Sequence, residues 1–221
     1  MLPTIPGGWT LRDVPVGDRT FRLELPADPD LFLDDPDVLA ANARDDYMPY
    51  WAFLWPSAVP TAEALLQFAP WPVGTRVLEL GCGLGLVGLA ALARGDDVLF
   101  TDHDPICLNS LERNAALNSL PAPDTLQLDW RVPLNQTFPV IVGCEVTYDA
   151  NMHPVLLDLL DKMLSPDGLC WFSDPGRFQA PRFCKLASER GYNVRVLNSR
   201  GEECAAPSEQ GFQILELRHR V

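Results

Sequence analysis

From residue 75 onward the apolar positions of the chain change period at regular intervals. Short apolar runs at 76–80, 97–101, 125–128, 139–144 and 169–173 have the length of buried strands. Between them, 84–94, 105–118, 153–164 and 182–190 carry helical patterns. The punctuation agrees: Pro105 opens one helix, Ser165-Pro166-Asp167-Gly168 stops another and Gly191 ends the last. Two more strand-like runs, 193–198 and 212–218, flank a loop without helical period, which predicts antiparallel pairing. The alternation predicts a doubly wound α/β sheet of seven strands, mostly parallel, with an antiparallel terminal strand. Ligands of such sheets bind at the carboxyl ends of the strands, where Asp102, Asp129, Trp130, Glu145 and Asp174 fall.

The first part of the chain is patterned differently. Residues 1–46 are rich in prolines and acids, 20–25 alternate as one strand of a hairpin, and 34–44 suit a short acidic helix. Without a linker or a repeat, 1–46 are expected to cap a main domain of 47–221. Tyr47, Tyr50, Trp51, Phe53 and Trp55 then crowd into a few positions before a helix at 58–68. Core packing accounts for several of these rings; Trp55 and others are candidates to line a pocket.

Charge narrows the partners. Thirty acids against 17 bases leave a formal charge of -13, which disfavours nucleic acid and anionic membrane and suits a basic acceptor. None of the six cysteines forms a CxxC pair and histidine is scarce, so no metal site is expected. No apolar run reaches the length of a membrane span, and the Pro- and Gly-rich first residues lead us to expect no signal peptide. A reducing cytoplasm is the expected compartment.

The most informative stretch is Glu79-Leu80-Gly81-Cys82-Gly83-Leu84-Gly85-Leu86-Val87-Gly88. Alternating glycines between a strand and a helix let backbone approach a ligand at the helix N-terminus. Gly83-x-Gly85-x-x-Gly88 fits a dinucleotide fingerprint. Glu79-x-Gly81-x-Gly83-x-Gly85 instead resembles the first motif of class I S-adenosylmethionine (AdoMet) methyltransferases. Glu79 favours the second reading, because a carboxylate repels a pyrophosphate but tolerates the cationic AdoMet. The element order is similar to the Rossmann-like seven-stranded plan of that class. Asp102 is placed to accept both ribose hydroxyls, with Asp104 as the competing helix cap. Asp129 is a candidate acceptor for the adenine amino group, and Trp130 for covering the ring.

After the fourth strand, Glu145-Val146-Thr147-Tyr148 matches an Asp/Glu-x-x-Tyr tetrapeptide. Leu54-Trp55-Pro56-Ser57 matches an upstream Leu-Trp-x-Ser/Ala segment, and Ser173-Asp174-Pro175-Gly176-Arg177 is similar to a segment of bacterial relatives. Together these resemble the seven-β-strand methyltransferase-like family 16, over about residues 47–220. The resemblance implies AdoMet-dependent N-methylation, mostly of protein lysines, with Glu145 and Tyr148 positioning the acceptor. A small-molecule N- or O-methyltransferase, a non-catalytic AdoMet-fold binding protein and a nicotinamide-dependent oxidoreductase are the alternatives.

Overall fold

The structure is a computed structural model that describes residues 2–220. Besides two short 3-10 helices, the described residues form ten strands and six α-helices: β1 (Trp9–Val16), β2 (Arg19–Pro26), α1 (Pro36–Asp45), α2 (Ala58–Phe68), β3 (Arg76–Leu80), α3 (Leu86–Arg94), β4 (Asp97–Asp102), α4 (Pro105–Leu117), β5 (Asp124–Gln127), β6 (Phe138–Cys144), α5 (His153–Met163), β7 (Leu164–Asp174), α6 (Ala180–Glu189), β8 (Tyr192–Leu197), β9 (Glu203–Cys204) and β10 (Gln213–His219). The main sheet runs β5-β4-β3-β6-β7-β10-β8-β9. Strands β3 to β7 are parallel, and β10 runs against both β7 and β8. The predicted doubly wound, mostly parallel sheet is therefore observed. Its eighth strand was not expected: β9 pairs with the end of β8, drawn in by a turn at Asn198 and by an Arg195–Glu203 ion pair of 2.9 Å.

Side-chain alternation divides the core. Val77, Val98, Phe100, Val140, Val142 and Trp171 face α2, α3 and α4, whereas Leu78, Leu80, Ile141, Cys170 and Phe172 face α5 and α6. Order reverses between β3 and β6, because the chain winds one way through β4 and β5 and then crosses back. That reversal opens a crevice at the carboxyl edge. Two boundaries differ from expectation. The helix α3 begins at Leu86, not at 84, because the glycine turn is wider than a simple cap. The Ser165–Gly168 stretch does not separate α5 from its strand; it bulges within β7, between the Phe138–Leu164 and Val140–Leu169 pairs.

The hairpin β1–β2 lies on the α4 side, with Val14, Val16, Phe21, Leu23 and Leu25 buried in the same core. Asn114 and Asn118, one helical turn apart, clasp the edge of β2. Their side-chain oxygens accept the Glu24 and Arg22 amides at 2.7 and 2.8 Å, and their amide groups donate back to the same residues' carbonyls. These bonds replace the strand partner that the edge lacks.

Candidate active site

The glycine turn is a backbone construction. Cys82 N–H donates to the Thr101 carbonyl at 2.9 Å, tying the turn to β4, and Gly85 N–H closes it on Cys82 O at 2.8 Å. Gly81, Gly83 and Gly85 all have positive φ. At Gly85 a Cβ would collide with Leu111 of α4; at Gly81 it would lie 3.3 Å from the Trp130 ring. The turn thus needs bare backbone both for its shape and for its neighbours. It delivers the N-terminus of α3, with its unpaired amides, into the crevice.

Asp102, at the end of β4, joins this turn. Its Oδ2 accepts Gly83 N–H at 2.9 Å and its Oδ1 accepts Asp104 N–H at 3.0 Å, which leaves each oxygen capacity for another donor. Burial pushes its pKa up. Asp104 takes the capping role: its Oδ1 accepts Ile106 N–H at 2.8 Å, and its Oδ2 accepts the Tyr47 hydroxyl. Glu79 lies underneath, 1 % exposed, with Oε2 beside Gly88 and without a hydrogen-bond partner. Burial raises its pKa to about 8, and the Asp102 charge adds to the shift. Trp130 covers Gly81, while Asp129 turns its Oδ1 to the Arg131 amide at 2.9 Å.

Cys82, Asp102 and Cys107 offer ligand atoms within 4.8 Å of one another. Burial pushes the Cys82 thiol up. At Cys107 the hydrogen bond with Cys82 favours the thiolate, but burial and Asp102 outweigh it. Protonated thiols are poor metal ligands, so the geometry alone does not make a metal centre.

Glu145 and Tyr148 follow β6, and Trp55 is joined to the first through Arg177 and to the second through Tyr50. Glu145 has φ of 54° and is 5 % exposed. Its Oε1 accepts Ser57 N–H at 2.8 Å, and its Oε2 accepts Arg177 Nη2 at 2.5 Å. The Arg177 guanidinium lies 5.9 Å from the centre of the Trp55 ring. Tyr50 links the rings: its carbonyl accepts Trp55 Nε1–H at 2.9 Å, and its ring meets Tyr148 edge-on at 5.4 Å. Tyr50 and Tyr148 stay exposed at the rim. Trp51 instead is core, packed on Trp9 and Phe32, with its backbone over Gly83.

Arg177 lies in the Ser173–Arg177 segment but was not among the residues expected in the site. Its signal was a lone cation just past a strand end. Asp174 sets the loop: fully buried, its Oδ1 accepts the Gly176 and Arg177 amides, each at 2.7 Å, and Gln213 Nε2 at 3.1 Å.

The profile of a family described as lysine methyltransferase matches residues 52–182, which include the glycine turn, Asp102, Glu145 and Arg177. The chain belongs to the lysine methyltransferase family. It is 32% identical over 133 residues to the electron transfer flavoprotein beta subunit lysine methyltransferase of Xenopus laevis, covering 59% of this chain and 54% of the relative. It is 30% identical over 158 residues to the EEF1A lysine methyltransferase 3 of Mus musculus, covering 63% and 67%. Ribosomal protein L11 methyltransferase of Prochlorococcus marinus (strain MIT 9303) is 31% identical over 204 residues, 85% of this chain and 62% of the relative. The chain thus spans about half to two thirds of these relatives. Among solved structures, a TehB-like SAM-dependent methyltransferase from Corynebacterium glutamicum aligns with a TM-score of 0.61 at 19% identity, over 87% of this chain and all of that one. It shares the fold of this family member. Among the described residues no helix is long and apolar enough to cross a membrane.

Proposed function

We propose that the protein is an AdoMet-dependent N-methyltransferase that acts on a lysine amino group of a protein. The observation that carries the reading is the meeting, at the β3–β6 reversal, of the glycine turn and Asp102 with the mouth formed by Trp55, Glu145 and Tyr148. The residues fit AdoMet. The turn exposes amides, Asp102 keeps acceptor capacity, and Ser57 Oγ is buried beside Glu145 without a partner. Gly81, Gly83, Gly85, Asp102, Asp129 and Trp130 would hold it, with Glu79 bracing the turn from below. When bound, AdoMet supplies a methyl group on a cationic sulfur. The chain then has to orient an electron pair toward that carbon and keep water away. Tyr50, Tyr148 and Trp55 line the approach, and the charge of -13 favours a basic protein. We place the enzyme in the cytoplasm, a reading supported by six free thiols. Residues 1–46 serve as a brace and cap on the domain of 47–221, a reading supported by the hairpin's shared core and the Trp9–Trp51 stack.

Incubation with radiolabelled AdoMet and a proteome extract from its own source tests the reading. The label should enter a protein band and survive as methyl-lysine after hydrolysis. Label confined to small molecules overturns the protein acceptor. A melting temperature raised by nicotinamide dinucleotides and not by AdoMet overturns the cofactor.

A further inference from the structure

Glu145 and Trp55 are two groups at the mouth that suit an ammonium ion, one by charge and one by its π face. The chain has set a cation of its own against both. Arg177 Nη2 is 2.5 Å from Glu145 Oε2, and its guanidinium carbon is 5.9 Å from the Trp55 ring centre. The placement is built. Asp174 pins the Arg177 amide, and a Cβ at Gly176 would lie 2.6 Å from the Gln210 backbone nitrogen, so the loop follows one tight course. Arg177 itself is only partly buried, a third of its side chain reaching solvent, while the Glu145 carboxylate it meets is almost fully enclosed.

We propose that Arg177 is a positioning residue that neutralises Glu145, so that the acceptor lysine enters the mouth as the uncharged amine. The inference rests on the lysine-acceptor reading of this same site. An unpaired Glu145 would stabilise the ammonium form, bind it well and leave no free electron pair for the methyl group. The pairing is made within the chain, so it is in place before an acceptor arrives. The ammonium proton goes to bulk water as the amine enters, and the nitrogen keeps its lone pair for the new N–C bond. Other groups face this point. Tyr148 and Asp149 follow β6, Tyr50 comes from the aromatic segment, Asp102 from β4, Asp174 from β7 and Cys144 from β6 itself. Burial holds the Tyr148 hydroxyl above its ordinary value and pushes the Cys144 thiol up to about 12, so both stay neutral. Asp102, Asp149 and Asp174 are common to every variant below, so differences between variants report on Arg177 and Glu145.

The test is the pH profile of kcat on the protein acceptor found by the radiolabel screen, for wild type, Arg177→Gln, Arg177→Lys and Glu145→Gln. Arg177→Gln should move the acid limb up by about one pH unit, the scale of a neighbouring charge. KM should fall and AdoMet affinity should stay within about twofold, since the change lies outside the glycine turn. Arg177→Lys should keep the wild-type limb, because the charge is kept. Glu145→Gln should move the limb down, because the Arg177 charge is then uncompensated. The opposite sign keeps the idea testable should Arg177→Gln not fold. A limb that stays in place in a folded Arg177→Gln or Glu145→Gln variant overturns the inference while leaving the lysine reading intact. A wild-type enzyme that methylates a non-basic atom overturns both.

Discussion

The glycine turn and the acceptor mouth share one edge of one sheet, yet they are built in opposite ways. The turn is comparatively local: it closes on itself from Gly85 to Cys82, and the two bonds that tie it to the next strand, Cys82 to Thr101 and Gly83 to Asp102, each span 19 residues. The mouth is assembled from far apart. Ser57 and Glu145 are separated by 88 residues, and Glu145 and Arg177 by 32. Backbone geometry therefore governs one site and paired charge governs the other. A ligand shared by many enzymes suits the first kind of construction, because amides and glycines offer little to vary. The second kind, with exposed Tyr50, Tyr148 and Phe178 around it, puts side chains rather than backbone at the opening where the proposed acceptor would enter.

The sharpest break of this contrast is Gly85→Ala. The new methyl meets Leu111 in a left-handed conformation, so stability should drop by about 2–4 kcal/mol in urea denaturation, with AdoMet binding lost alongside. A loss under about 1 kcal/mol would mean that the turn tolerates a side chain and is not governed by its backbone. Glu145→Ala addresses the mouth. It strips the Ser57 amide and Arg177 of their acceptor, and because Arg177 is a third exposed, a loss of about 2 kcal/mol is expected. AdoMet affinity by calorimetry should change far less than stability; an equal change would merge the two regions into one.

Asp102→Ala should do the reverse, weakening AdoMet by about 1–3 kcal/mol through lost buried hydrogen bonds. Unchanged calorimetric affinity would remove Asp102 from the cofactor site. Glu79 sharpens the picture through pH. Its folded pKa is raised from 4.5 to about 8. The stability tied to keeping that proton is full below the unfolded value and is lost as pH rises through about 8. Glu79→Gln is neutral throughout, so its melting temperature relative to wild type should climb from pH 5 to pH 8. A flat difference would show that the carboxyl is ionised in the folded protein. The smallest effect belongs to Tyr148→Phe: the hydroxyl makes no described hydrogen bond and the ring is half out of the protein, so stability should hold within about 0.5 kcal/mol. Turnover falling as far as in Tyr148→Ala would transfer the role from ring to hydroxyl.

Much of this was legible before the structure. Strand and helix periods carried the α/β alternation because each element meets the same two-sided core repeatedly. The glycine turn was legible for the same local reason. What escaped depended on distance along the chain. The first hairpin strand, Trp9–Val16, contains charged residues and a proline, and its apolar positions Val14 and Val16 count only once they lie against the helices. The two-residue β9 has no periodicity to read.

The chain alone determined the winding of the sheet, the bare turn after β3 and the acids at the strand ends, because backbone conformation and side-chain alternation are set by neighbours in sequence. Only the tertiary structure decided what those acids face. It buried Glu79 under α3, left Asp102 with acceptor capacity over Gly83, and paired Glu145 with Arg177 rather than leaving it open. Charges act through space, and which charges become neighbours is decided by how the strands and loops are brought together.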